Sequence, residues 1–425
     1  MKARQALTLS LLTLALSPAA ARAVPSPNGT PFKVSSCATC KQSAPVVAGV
    51  AAGSTAGTFL VSWESTTPKD TQGVSARIFP KTGAPKASDF QVNKDVAPPQ
   101  HAPSVASDPL GNYVVAWSVS SGSSLNSDVM VQRYKGTGVV NGPALLVNVD
   151  TPGASQPGVD VAPVVATAAD GGFVVAWIRS VPPDAHSQGS PPAVMVRRYN
   201  KTGVALGAPV QLSSGLVAGT QPSACIDPTG RAVVVWTSID EYRPFESSLM
   251  GVSMRRVSAA GAPLDTEAVV AQPLAVDSSA TVGCGAAGAF VVVWSTDQAP
   301  ATSGLDIVAR RFTPLAQPNG AAFRINSTTA GEQKLPAMMM DATGNFVVVW
   351  QSRLTTSNAS DSILGRRFLA SGTADGADLL IYKRLTQIES RSVTPRVANL
   401  GASGFVVVWA QGNLNLQARR YKLTP

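Results

Sequence analysis

The chain has 425 residues, 44% of them hydrophobic and 14% charged, and a formal net charge of +9. It can therefore bury a large core, and its 36 glycines and 32 prolines suit many turns rather than long helices. Basic residues mostly recur in isolated pairs rather than runs, which argues against a nucleic-acid-binding stripe.

Lys2 and Arg4 precede an apolar run from Ala6 to Leu16, and Ala21, Arg22 and Ala23 close the segment in an A-x-A arrangement. This is the pattern of a secretory signal peptide over residues 1–23. The run is short for a bilayer, and no later segment approaches the roughly 20 apolar residues of a spanning helix. A soluble exported protein is expected, secreted or periplasmic. Neither Cys37 nor Cys40 stands at the cleavage point, so no lipid anchor is expected. Residues 1–23 hold three basic residues and no acid, which leaves +6 on the other 402.

Just past that segment stands PFKVSS, followed by Cys37-Ala38-Thr39-Cys40. From there one pattern recurs. GTFLVSWES ends at Ser65, GNYVVAWSV at Val119, GGFVVAWIR at Arg179, GRAVVVWTS at Ser238, GAFVVVWST at Thr296, GNFVVVWQS at Ser352 and SGFVVVWAQ at Gln411. All seven tryptophans lie in these copies: Trp63, Trp117, Trp177, Trp236, Trp294, Trp350 and Trp409. Their gaps are 54, 60, 59, 58, 56 and 59 residues, a period that marks a propeller, solenoid or array.

Each period reads as four short strands. The first resembles Pro103 to Ala106, and its proline precedes the tryptophan by 14 residues in five copies. A turn follows, often Asp-x-x-Gly as in Asp108 to Gly111, Asp227 to Gly230 and Asp341 to Gly344, with Asp at the first turn position and Gly at the last. The tryptophan strand has a β-branched run without alternation, which predicts burial on both faces. The third strand ends in a basic and aromatic group, such as VRRY from Val196, ARRF from Ala309 or ARRY from Ala418. The fourth is short, as in FQVN from Phe90, LLVN from Leu145 and FRIN from Phe323.

The copy around Trp409 has no fourth strand before the chain ends at Pro425, but PFKVSS carries one. Phe32 precedes Pro45 by 13 residues, the spacing of Phe90 to Pro103 and Phe323 to Pro336. The predicted fold is all-β: residues 24–425 as a single seven-bladed β-propeller with four antiparallel strands per blade. Residues 31–35 complete the last blade, so the N-terminal strand closes the ring and hides two sheet edges. The competing architecture is a string of β-sandwiches.

Cys37 and Cys40 lack the histidine of a haem attachment site and two further ligands for zinc, which favours a local disulfide in an oxidising compartment. Cys225 and Cys284 fall on the first strands of adjacent blades, and a disulfide between them is predicted; Cα atoms more than about 7 Å apart would exclude it.

Over almost the whole chain after residue 23 the copies resemble an extracellular repeat of bacterial secreted and adhesin-like proteins, some of them hemolysin-type. The resemblance is best from Phe323 to Phe368, FRINSTTAGEQKLPAMMMDATGNFVVVWQS with the following ILGRRF. It implies export and a propeller-like scaffold. The glycine-aspartate nonapeptides that bind calcium in such proteins are missing, and so are the serine and threonine of the sialidase Asp-box and the Gly-His and Trp-Asp pairs of WD propellers.

The tryptophan recurs in every copy, and so does at least one third-strand arginine, which marks packing rather than chemistry, with the arginine stacking on the tryptophan or bonding turn carbonyls. His101 and His186 fall in predicted loops and read as solvent-exposed. Recognition is expected where the second-to-third-strand loops vary most: Ser180 to Pro192, with Asp184 and His186, and Asp240 to Ser248, with Glu241, Tyr242, Arg243, Phe245 and Glu246. No copy carries an evident repeat-breaking cluster of acids or histidines. The expected function is therefore a non-catalytic exported propeller that binds or scaffolds a protein or glycan, with no cofactor or metal. The alternative is a secreted glycoside hydrolase or lyase using loop carboxylates drawn from Asp184, Asp240, Glu241, Glu246 and Asp306; hydrolysis needs a pair about 5 to 10 Å apart.

Overall fold

The structure is a computed structural model. It describes residues 24–67, 70–82, 85, 87–94, 99–120, 126–149, 158–181, 190–214, 218–239, 250–274, 279–285, 287–297, 304–353, 361–384, 393–412 and 415–424. Among these the regular elements are strands, apart from a single 3₁₀ turn at Gly401–Ser403.

Two short strands come first, β1 (Val24–Pro27) and β2 (Phe32–Lys33). The first repeat holds β3 (Gln42–Gly49), β4 (Phe59–Ser65), β5 (Gly73–Phe79) and β6 (Phe90–Gln91). The second holds β7 (Gln100–Ser107), β8 (Tyr113–Ser120), β9 (Ser127–Tyr134) and β10 (Leu145–Leu146). The third holds β11 (Val159–Thr167), β12 (Phe173–Val181), β13 (Ser190–Tyr199) and β14 (Val210–Gln211). The fourth holds β15 (Ala218–Ile226), β16 (Ala232–Ile239), β17 (Met250–Val257) and β18 (Ala268–Leu274). The fifth holds β19 (Ala280–Cys284), β20 (Phe290–Thr296), β21 (Asp306–Phe312) and β22 (Phe323–Arg324). The sixth holds β23 (Glu332–Met340), β24 (Phe346–Arg353), β25 (Asp361–Phe368) and β26 (Leu379–Lys383). The last holds β27 (Arg396–Asn399), β28 (Phe405–Gln411) and β29 (Asn415–Thr424).

Within each repeat, strands adjacent in sequence pair antiparallel as a meander. A single parallel pair, Val159 with Ser127, joins the second and third repeats into one sheet. The free edge of β29 is covered from the other end of the chain, with Phe32 opposite Ala418 and Lys33 opposite Gln417. Strand β1 extends this cover, with Val24 opposite Thr424 and Pro27 opposite Tyr421. It was not expected from a segment holding Pro25 and Pro27; an edge strand tolerates prolines because one side of it needs no donors.

The tryptophan strands are buried on both faces because the sheets stack face to face. Each tryptophan packs against the preceding repeat, as Trp117 does on Leu60 and Val74 and Trp177 on Ala116 and Val129. Trp63 of the first repeat meets Val406, Val408 and Leu416 of the last, together with Val34. Burying one such ring contributes about 2 to 3 kcal/mol.

The arginine pairs connect neighbouring sheets through backbone carbonyls. The first arginine reaches back to the fourth strand of the preceding repeat: Arg197 to Val147 O at 2.8 Å, Arg255 to Leu212 O at 3.1 Å and Arg366 to Ile325 O at 3.1 Å. The second reaches forward to a turn of the next repeat: Arg133 to Lys201 O at 3.0 Å and Arg256 to Pro314 O at 2.5 Å. Between the last and first repeats Arg77 donates to Val34 O at 3.0 Å and Arg420 to Pro80 O at 2.9 Å. Five arginines lie over the Phe or Tyr two residues on, such as Arg197 over Tyr199 at 5.7 Å, and not over the tryptophan.

Local motifs hold as their chemistry dictates. Asp108 Oδ1 accepts from Asn112 N, and Gly111 closes the turn at φ +85°, which disfavours a side chain. Asn93, Asn148 and Asn326, at the ends of the short fourth strands, each accept from a third-strand amide at 2.8 Å. First strands lie side by side, with Ser107 Oγ bonded to Gly49 O and Thr167 Oγ1 to Ser107 O. Gly49 meets β27 so closely that an added Cβ would stand 2.3 Å from Asn399 O.

Candidate functional site

Five first strands share a kink. The residue before the conserved-position proline adopts a left-handed backbone: Ala44 at φ 47°, Ala102 at 51°, Ala162 at 52°, Gln221 at 49° and Leu335 at 55°. Register shifts at the same points, so these are bulges. Left-handed backbone ahead of proline is strained, and such strain persists only where surrounding contacts over-determine it.

At one bulge the contact holding it is a carboxylate. Glu64, at the end of β4, accepts from Ala102 N of the next repeat at 2.8 Å and from Ser43 Oγ at 2.9 Å. The turn of chain at Ala102 sets the preceding residue, His101, half-buried in the wall of a cavity of about 520 Å³ that Glu64 also lines. Lys41, Gln42, Gln72 and Gln100 stand in the same wall. Backbone bonds stitch the rim: Gln100 N to Gln72 O at 2.9 Å, Ser120 N to Pro99 O at 2.9 Å and Thr66 N to Lys41 O at 3.0 Å. Gln42 Nε2 donates to Cys37 O at 3.0 Å, which ties the wall to the Cys37–Cys40 disulfide.

The cavity therefore lies between the first and second repeats, at the end of the molecule carrying the second-to-third-strand connections. Amides and hydroxyls supply donors and acceptors, Lys41 supplies a cation, and Glu64 and His101 are groups able to accept and return a proton. A second cavity of about 380 Å³ at the opposite end is lined by Asp108, Arg133 and Lys201. Its polar groups serve the turns and staples already described, so it offers less to a ligand.

Among the described residues, Asp160 and Asp361 at the candidate end are committed to structure. Asp160 accepts from Trp177 Nε1 and from Asn148 Nδ2. Asp361 holds Arg353 at 2.7 Å and Arg384 at 3.4 Å. Asp306, expected in a loop, instead opens β21 fully buried, with Oδ1 accepting from Asn326 and Oδ2 without a hydrogen bond, 4.0 Å from Arg324 Nη1. Burial raises its pKa, against the pull of Asn326 and Arg324. A buried acid with a raised pKa costs stability where it is ionised, so Asp306→Asn should be more stable than the parent by about 1 kcal/mol at pH 8, the gain shrinking as the pH falls through the ordinary carboxylate range and gone by about pH 3. Urea unfolding at the two pH values checks this.

Asp184, His186, Asp240, Glu241, Tyr242, Arg243, Phe245 and Glu246 lie outside the described residues. His101 departs from its expected loop: it belongs to β7 and is half-buried. Glu64 and His101, which the sequence does not single out together, line one cavity. Glu64 carried a visible signal: it follows Trp63 where the other copies have Ser, Ile, Thr, Ser, Gln and Ala. Among the described residues no group of three or more His, Cys, Asp or Glu side chains is arranged to hold a metal.

No family model matches the chain, and neither does any curated protein. Among solved structures it is similar to a Hadza microbial sialidase, at TM-score 0.50 and 12% identity, over 86% of this chain and 76% of that one. It is also similar to an ulvan lyase from a new family of polysaccharide lyase, at TM-score 0.48 and 8% identity, over 92% and 96% of the two chains. An α-L-arabinofuranosidase from Fusarium graminearum follows at TM-score 0.46 and 12% identity, over 76% and 92%. At these identities the likeness to the sialidase speaks to fold alone: an all-β, propeller-type chain. No helix among the described residues is long and apolar enough to cross a membrane.

Proposed function

We propose that this chain is an exported, carbohydrate-active seven-bladed β-propeller whose glycan seat is the cavity between its first and second blades. The observation that carries the reading is the presence of Glu64 and His101 in one cavity wall with Lys41 and a set of amides and hydroxyls. Such a wall complements the alternating donors and acceptors of a sugar, and the acid and imidazole supply proton transfer at one place. Closure of the ring is supported by the seam between last and first repeats, which uses the same tryptophan packing and arginine staples as the others. Export is supported by the leader pattern of residues 1–23, by two disulfides and by the resemblance to extracellular repeat proteins.

A glycan-binding protein without turnover is the second reading. It is favoured by the two bonds that already occupy the Glu64 oxygens and by the lack of a second carboxylate among the residues lining the cavity, which hydrolysis by a pair requires. Neutral and acidic polysaccharides offered to the purified protein, with new reducing ends and unsaturated products followed, separate the two. Turnover that falls about 100-fold or more in Glu64→Gln and His101→Ala supports the enzyme. Binding without turnover, weakened in Gln100→Ala, supports the lectin-like reading. A protein that neither turns over nor binds any glycan contradicts both.

A further inference from the structure

Antiparallel meanders put the first-to-second-strand turns, and the third-to-fourth-strand turns of the first six repeats, at one end, opposite the candidate cavity, and Gly136 lies against Gly111 O there. Large apolar side chains stand exposed at this end in repeat after repeat. Val139, Val204 and Leu315 are 59%, 60% and 66% exposed, and Leu264 and Leu369 occupy the matching turns of the fourth and sixth repeats. Leu110, at 70%, joins them from a first-to-second-strand turn. Val140 and Leu206 add to the same turns, and the remaining exposed large apolar residues among those described sit at or beside the short fourth strands, as Val269 and Leu380 do.

Cations border this apolar arc. Lys81, Lys135 and Lys201 are exposed in the turns of the first three repeats, and Lys422 is exposed beside Tyr421 near the end of the chain. The acids of the same end are mostly turned inward: Asp108 onto Asn112, Asp227 onto Arg231 and Asp341 onto Thr343 and Asn345, while Asp170 remains exposed. Exposed apolar tips flanked by exposed lysines match an interface that is apolar beneath and negative on top.

We propose that this end is a peripheral docking surface for an anionic lipid bilayer, seating the apolar tips among the acyl chains while the lysines meet the headgroups and the cavity faces away. The proposal does not depend on the glycan reading.

Co-sedimentation tests it with the purified protein and vesicles of phosphatidylcholine, either alone or in an equimolar mixture with phosphatidylglycerol. The parent should sediment with the mixed vesicles and be released by raised salt. Combining Val139→Ser, Val204→Ser, Leu315→Ser and Leu369→Ser, all at exposed positions, should weaken partition about tenfold or more, and Lys81→Glu, Lys135→Glu and Lys201→Glu together should erase the preference for the anionic vesicles. Protein that stays in the supernatant, or variants that sediment like the parent, overturn the proposal. So does self-association in light scattering that the apolar variant abolishes while vesicle binding is absent, since the arc then covers a second copy.

Discussion

Replacing Val34 with aspartate is expected to lower stability by about 4 kcal/mol or more and to shift a single cooperative unfolding transition. Val34 is fully buried among Phe59, Leu400, Val406 and Leu416, between the first and last repeats. Its amide donates to Leu416 O at 2.9 Å, and its carbonyl accepts from Arg77. An aspartate there would point among apolar side chains, with Arg77 already bonded to the Val34 carbonyl, so it either stays charged and unsolvated or expels the N-terminal strand. In a closed ring the seam is as necessary as any other, and its loss propagates. In an open array the same change would fray only the two ends and leave the main transition where it was. Val34→Ala, which removes volume without charge, should cost about 2 kcal/mol. Thermal and urea unfolding followed by tryptophan fluorescence distinguish these outcomes, because the tryptophans report on all seven seams.

Removing the bond between Cys225 and Cys284 should be nearly as costly. It joins β15 to β19 with Cα atoms 5.6 Å apart and spans 59 residues of chain. On the loop-closure view, releasing a loop of that length destabilises by about 4 kcal/mol, against about 2 kcal/mol for the Cys37–Cys40 bond, whose separation is 3. Cys225→Ser with Cys284→Ser should therefore lower the urea midpoint more than Cys37→Ser with Cys40→Ser does. Equal effects would show that the loop is already constrained in the unfolded chain.

Much of the architecture was legible because its causes are local or repeated. A tryptophan recurring every 54 to 60 residues announces a unit that cannot cover its own faces, and the gap from Phe32 to Pro45 matched the gap between fourth and first strands elsewhere. Cys225 and Cys284 could be paired because repeat position translates into spatial adjacency. The site was harder. Glu64 and His101 are distant in sequence and line one cavity where Ala102, bonded to Glu64, takes a left-handed backbone ahead of proline, which no propensity favours. The acid after Trp63 was a visible departure from the repeat, but its meaning depended on the bulge opposite. Strand β1 was missed for a similar reason: two prolines read as loop until the partner edge is known. The arginine pairs were assigned to packing correctly, yet their direction, one back and one forward, follows from sheet stacking rather than from composition.

Amide hydrogen exchange at Val34 tests ring closure most directly. Its bond to Leu416 O corresponds to those of Val92, Val147, Leu212 and Ile325 with Val74, Val129, Val194 and Ile307, each between a fourth-strand position and its third strand. Closure predicts that Val34 is protected to the same degree as those four. Rapid exchange at Val34 alone, with the others protected, would contradict it.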